Sequence, residues 1–246
     1  MMILPLKSDF QNWRNPRRGK SNPERMNNPF WDFCIRTGSS AYEVNKELDG
    51  PDSFNSGPCW CFDRFGQSHI TLPDGRELFI GGEHEDWYDP DFYIYNDVII
   101  VDKDYIEIFG YPVSVFPPTD FHSATLVGTN VFLIGNLGYQ NERRIGQTQV
   151  LRLDIESLQI SIQQTSGENP GWIFQHSAVY DEPNNSIRVS GGKQYDEEVK
   201  ENYNDYYLCL KTFKWRLYRE KEVQILNLSR SRWRQSSEDL ISNHSL

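Results

Sequence analysis

Nine consecutive residues, Glu83-His84-Glu85-Asp86-Trp87-Tyr88-Asp89-Pro90-Asp91, set five carboxylates and one imidazole side by side. Hard oxygen donors at this density suit a divalent cation such as Ca²⁺, Mg²⁺ or Mn²⁺, with Glu83, His84, Glu85, Asp86 and Asp89 as candidate ligands. The competing reading is an acidic surface loop closed by Pro90. A second group, Asp120, His122 and His176, joins a carboxylate to two imidazoles, which titrate near neutral pH and suit ligand binding or general acid–base work. A third set is aromatic: Trp87, Tyr88, Phe92, Tyr93 and Tyr95, then Tyr139, then Tyr195 and Tyr203. Aromatics projecting from loops suit recognition of protein or carbohydrate, and Trp87, Tyr88 and Tyr139 are the first candidates. Phe92 and Tyr95 lie close to the next strand and read as core. Cys59 and Cys61 form a single C-x-C without a second pair, which gives a zinc site little support. No nucleophile elbow, P-loop or dinucleotide fingerprint occurs.

The elements that would position these groups repeat along the chain. Gly66-Gln67-Ser68-His69, Phe121-His122-Ser123-Ala124 and Gln175-His176-Ser177-Ala178 align, with Ser68, Ser123 and Ser177 at intervals of 55 and 54 residues. Each leads through a turn to an apolar strand closed by small residues: Leu78-Phe79-Ile80-Gly81-Gly82, Phe132-Leu133-Ile134-Gly135-Asn136 and Arg188-Val189-Ser190-Gly191-Gly192. A third strand follows at 97–102, 149–154 and 206–211, and a short fourth at 105–108, 158–162 and 213–217. Four strands every ~50 residues is the period of a propeller blade. Glycine suits a sharp strand end where backbones crowd, and small residues such as Ser123 and Ala124 suit an inner strand near an axis.

This register resembles the kelch repeat: a strand with His-Ser-Ala, a strand closed by Gly-Gly, a strand ending hydrophobic-x-hydrophobic-Asp, and a fourth strand bearing Trp, here Trp215 in the third copy. The second copy has Gly135-Asn136 in place of Gly-Gly. The resemblance covers about two thirds of the chain. It implies an all-β, kelch-type β-propeller with three recognisable blades, and places His122 and His176 near one mouth of its channel. Three blades are fewer than most propellers have, so a degenerate fourth blade from the terminal pieces, or a homodimer, is expected to complete the ring. Residues 58–64, with Trp60 ahead of Arg64 and Gly66, read as an outer strand. Some kelch proteins that assist thioglucoside breakdown bind iron through Glu-x-x-x-Asp-x-x-x-His; here Glu85 and Asp89 match and Tyr93 stands in the histidine's place. Copper-radical oxidases share this kind of propeller but need a Tyr–Cys crosslink, and Cys209 sits inside a strand in a much shorter chain. The resemblance therefore implies a non-enzymatic module that binds a protein partner through its loops. The alternative is a metal-dependent enzyme or carbohydrate-binding propeller that uses the 83–91 loop and the histidines.

Composition agrees with strands and turns: aromatics reach 14%, with 17 Gly and 13 Pro among 246 residues. The net charge of -10 is segregated, with residues 1–26 at +4, 211–234 at +6 and 27–210 at -18. An acidic body repels phosphate backbones and favours a partner with a basic segment over nucleic acid. No apolar run approaches the ~20 residues that span a bilayer. Pro5, Lys7 and Asp9 interrupt the first residues, which lack a signal peptide's apolar core. Four irregularly spaced cysteines read as thiols of a cytoplasmic protein. The domains expected are an extension over 1–57, a propeller over 58–222 and a tail over 223–246. Short helices are expected within 28–48, a polar linker at 49–58, a strand or helical turn at 223–228, and fraying beyond it.

Overall fold

A computed structural model describes residues 4–48, 57–84 and 92–218. In chain order the elements are α1 (Lys7–Trp13), β1 (Glu24–Arg25), α2 (Pro29–Thr37), α3 (Ala41–Glu47), β2 (Ser68–Thr71), β3 (Glu77–Ile80), β4 (Glu83–His84), β5 (Tyr93–Ile94), β6 (Asp97–Val101) and β7 (Ile106–Gly110). There follow β8 (Ser123–Val127), β9 (Asn130–Ile134), β10 (Val150–Asp154), β11 (Ile160–Ile162), β12 (Ser166–Gly167), β13 (Trp172–Phe174) and β14 (Ser177–Asp181). The last are β15 (Ser186–Ser190), β16 (Lys193–Asp196), β17 (Glu198–Glu201), β18 (Asp205–Cys209) and β19 (Lys214–Tyr218).

Strands dominate, and three antiparallel meanders recur: β2-β3-β6-β7, β8-β9-β10-β11 and β14-β15-β18-β19. The first gains β1 beside β7, and the third gains β12 beside β19. Two minor sheets, β4-β5 and β13-β16-β17, fill the long connections. The innermost strands β2, β8 and β14 neighbour one another in that order, so the three meanders stand side by side. Among the described residues none of the sheets closes on itself.

Alternation along each strand assigns one face to each neighbour. Leu78, Ile80, Val98 and Ile100 of the first meander pack against Val131, Leu133, Leu151 and Leu153 of the second. Phe132, Ile134 and Val150, on the second meander's other face, meet Ile187, Val189, Leu208 and Trp215 of the third. The two end faces are finished differently. The free face of the first meander, with Ile99, Ile106 and Ile108, is covered by Phe10, Phe30, Trp31, Val44 and Trp60. On the free face of the third, the cross-strand row reads Val179, Arg188, Tyr207, Arg216. The matching row of the first meander is Ile70, Leu78, Ile100, Glu107. The row on the third meander is thus the more polar of the two. Val179 is 64% exposed there, and Arg188 reaches across to Asp205.

The N-terminal cap is built from local signals. Asn28 accepts a hydrogen bond from the Trp31 N–H at 2.9 Å and Pro29 opens α2. Gly38 closes the helix in the left-handed region, φ 67°. Ser40 and Glu43 form a capping box at α3. Trp31 stacks on Trp60 with ring centroids 4.9 Å apart. Two helices in 28–48 match the expectation; α1 is an addition to it. Residues 58–64 form no strand. Instead Glu24–Arg25 supplies the outer strand of the first meander, while Trp60 packs into the cap. Most of the linker, residues 49–56, and the whole tail, 223–246, lie outside the described residues.

Candidate functional site

His122 and His176 form a repeated bond between meanders. The residue before each adopts φ > 0, Phe121 at 48° and Gln175 at 54°, as does Gly66 at 61° before Gln67. This left-handed step turns the next side chain toward the preceding meander. His122 Nε2 lies 2.8 Å from Ser68 Oγ, and His176 Nε2 lies 2.8 Å from Ser123 Oγ. Gly81 and Gly135 leave room for the crossing, since a Cβ on either would stand 2.3 Å from a carbonyl oxygen, that of Thr119 or of Ile173. Burial disfavours the charged rings, pushing His122 down to about 3, with some help from His176, and His176 down to about 4. Both are neutral at pH 7, and each buried Nδ1 makes no hydrogen bond to the described residues. The two imidazoles thus act as struts. Gln67 holds their place in the first repeat, and Ser177 of the third is exposed.

Asp120 is fully buried beside them, its Oδ1 accepting from the Gly138 N–H at 2.7 Å and its side chain hydrogen-bonded to Glu83. Two carboxyls bonded to each other share a proton, and burial raises Asp120 above the usual carboxylate range. Glu83 is also held by its backbone, which exchanges hydrogen bonds with Phe65. His84 pairs with Tyr93 in the β4-β5 ribbon. Of the candidate metal ligands, Glu85, Asp86 and Asp89 lie outside the described residues, as do Trp87 and Tyr88. Among the described residues no three His, Cys, Asp or Glu side chains are grouped to hold a metal ion. Tyr139 is half-buried; its hydroxyl accepts from the Ile94 N–H at 2.9 Å and its ring meets Phe92 edge-on at 5.7 Å. It braces two loops against each other.

Two further clusters belong to the cap. Arg64 donates to both carboxylate oxygens of Asp97, at 2.6 and 2.9 Å, and to the carbonyls of Cys61 and Gly81. Its guanidinium lies 3.4 Å from the Tyr95 ring centroid. Buried and fully bonded, it ties the cap to the first meander. Cys34, Cys59 and Cys61 are buried and form no disulfide. Burial and the other two sulfurs raise the Cys34 thiol well above its ordinary value, so it stays protonated.

A groove of about 820 Å³, open to solvent, lies between the turn at 113–117, the loop at 141–149 and the crossing from β11 to β12. Its walls mix amides and hydroxyls with the apolar residues Val113, Ile162 and Trp172 and the charged residues Glu142, Arg143 and Arg144. Thr148 Oγ1 lies 2.8 Å from the Gly171 carbonyl, Gln149 donates to Thr119 Oγ1 at 2.9 Å, and Trp172 at the base donates to the Leu137 carbonyl at 3.0 Å. The side chains of Ser114, Asn141, Arg144, Gln147 and Gln164 make no hydrogen bond to another described residue. Arg143 and Arg144 outnumber Glu142, so the groove is mildly basic on an acidic body. None of these residues stood out as chemistry in the sequence. The signal that could have found them is the pairing of Gln147-Thr148-Gln149 with Gln163-Gln164-Thr165, two amide-rich turns at the same end of adjacent strands. No family model matches the chain, and no curated protein matches it.

Proposed function

We propose that this chain is a non-enzymatic binding module, a short kelch-type propeller arc that holds a protein partner in the groove beside its second blade. One observation carries the reading: the groove gathers amides, a hydroxyl and a guanidinium that bond no other described residue, while His122, His176 and Asp120 are buried and bonded. A surface of this kind rewards polar contacts from a polypeptide and supplies no activated nucleophile or acid–base pair. Arg143 and Arg144 favour a neutral or acidic segment here; the basic segment anticipated from the sequence would belong to the acidic 83–91 loop. Four thiols without a disulfide favour a reducing compartment, which supports a cytoplasmic location. The polar row on the third meander's free face favours an arc over a ring continued by a further blade.

The test is affinity capture with the whole chain and two variants, Arg144→Ala/Gln147→Ala/Gln164→Ala and Trp87→Ala/Tyr88→Ala, read by quantitative mass spectrometry. The groove variant, melting within about 2 °C of the parent because its targets are surface groups, is expected to lose a protein that the parent captures. Loss from the Trp87/Tyr88 variant alone would move the site to the 83–91 loop, and equal capture by all three would reject both surfaces.

A further inference from the structure

We propose that the outer edge of the second meander, at Ile162, accepts an extended segment of the partner as an added β-strand. This deepens the binding reading above and rests on it. The two flanking meanders each carry a fifth strand at this outermost position: β1 runs antiparallel to β7, and β12 runs parallel to β19. Among the described residues the second meander alone ends at its fourth strand, β11.

The register says which groups of β11 face outward. Ser161 pairs with Arg152, and the Gln163 N–H donates to the Val150 carbonyl, so these two residues point their backbone groups inward to β10. Ile160 and Ile162 point theirs away. At Ile160 the side-chain amide of Asn22 takes a missing strand's part, accepting from the N–H at 2.9 Å and donating to the carbonyl at 2.8 Å. At Ile162, one strand repeat further, no described group bonds either the N–H or the carbonyl. That bare pair forms one lip of the groove, with Val113 and Ser114 from the opposite turn. An open edge of this kind is a template for another strand, and recognition by strand addition takes affinity from the backbone and selectivity from alternate side chains. Val113 and Ile162, 44% and 47% exposed, would meet aliphatic side chains of the segment, and Arg144 an acidic one. The occupant is therefore an extended partner segment that alternates aliphatic with acidic or polar residues.

The probe is a synthetic peptide selected from random linear 12-residue sequences displayed on phage, panned on the full chain. Residue-resolved amide exchange is read with and without it, alongside titration calorimetry. The Ile162 amide is expected to exchange without protection in the chain alone and to slow at least tenfold with the peptide. Ile162→Pro removes the outward N–H while keeping an apolar side chain and is expected to weaken the peptide at least tenfold, with Ile162→Val unchanged. Equal binding to a folded Ile162→Pro protein, or binding without slowed exchange at Ile162, would overturn strand addition while leaving a binding module. Protection of Ile162 in the chain alone would also overturn it, because a segment of the chain or a second copy would then cover the edge. Selection of no peptide counts against strand addition only, since the capture experiment tests the binding reading separately. Should Ile162→Pro fail to fold, amide exchange on the parent chain decides.

Discussion

Acidification should unfold this protein through two particular histidines. His122 and His176 ordinarily titrate at 6.5, but burial holds them at about 3 and about 4 in the folded chain. A histidine whose folded value is depressed binds fewer protons folded than unfolded. Its contribution to stability is whole above pH 6.5 and falls as the pH drops toward the folded value. Each unit below 6.5 costs about 1.4 kcal/mol per fully linked histidine. From pH 7 to pH 5 the loss is about 2 kcal/mol for each and about 4 kcal/mol for the two together, a large part of a typical 5–15 kcal/mol. The structural cause is specific. The imidazolium carries a proton on both ring nitrogens, one of them an Nδ1 that makes no hydrogen bond to the described residues, the other an Nε2 that faces a serine hydroxyl. The control is His122→Gln/His176→Gln, since Gln67 already occupies the same position in the first repeat. Urea denaturation followed by tryptophan fluorescence at half-unit steps from pH 7 to 5 measures the slope. The parent is expected to lose about 4 kcal/mol and the double variant about 1 kcal/mol or less. Asp120, raised by burial, acts in the opposite sense in both proteins and cancels in the comparison. Equal slopes for parent and variant would refute the argument.

Two further outcomes follow from single positions. Asp97→Asn leaves the Arg64 guanidinium buried without its counter-charge and is expected to cost about 3–5 kcal/mol, lowering the melting temperature by about 6–20 °C in calorimetry. Gln175→Gly relieves a left-handed residue, φ 54°, whose exposed side chain loses no contact, and is expected to raise stability by about 0.5–1 kcal/mol in the same urea assay.

Much of the architecture was legible because it rests on short-range rules. The recurrence of Ser68, Ser123 and Ser177, and of Gly81, Gly135 and Gly191, marked the strands that became β2, β8, β14 and β3, β9, β15. Asn28, Pro29 and Gly38 marked both ends of a helix, as helix ends are set by their own few residues. The serine–histidine struts were half visible. Equal spacing placed His122 and His176 alike, but their partners lie 54 and 53 residues back, across a sheet-to-sheet contact that spacing does not name. The segment 58–64 has an outer strand's pattern, yet its Trp60 found a deeper place against Trp31, and the edge went to Glu24–Arg25.

What the sequence by itself determined was the repeating unit: four strands, a turn and a glycine, each a matter of backbone preference and alternation within ten or so residues. Tertiary structure alone decided which faces are spent on neighbouring meanders and which edge carries no further strand among the described residues. Those outcomes depend on how many sheets stand side by side and on which distant side chain arrives at each edge. Asn22 reaching Ile160, and nothing described reaching Ile162, is a fact of assembly in space that no local pattern encodes.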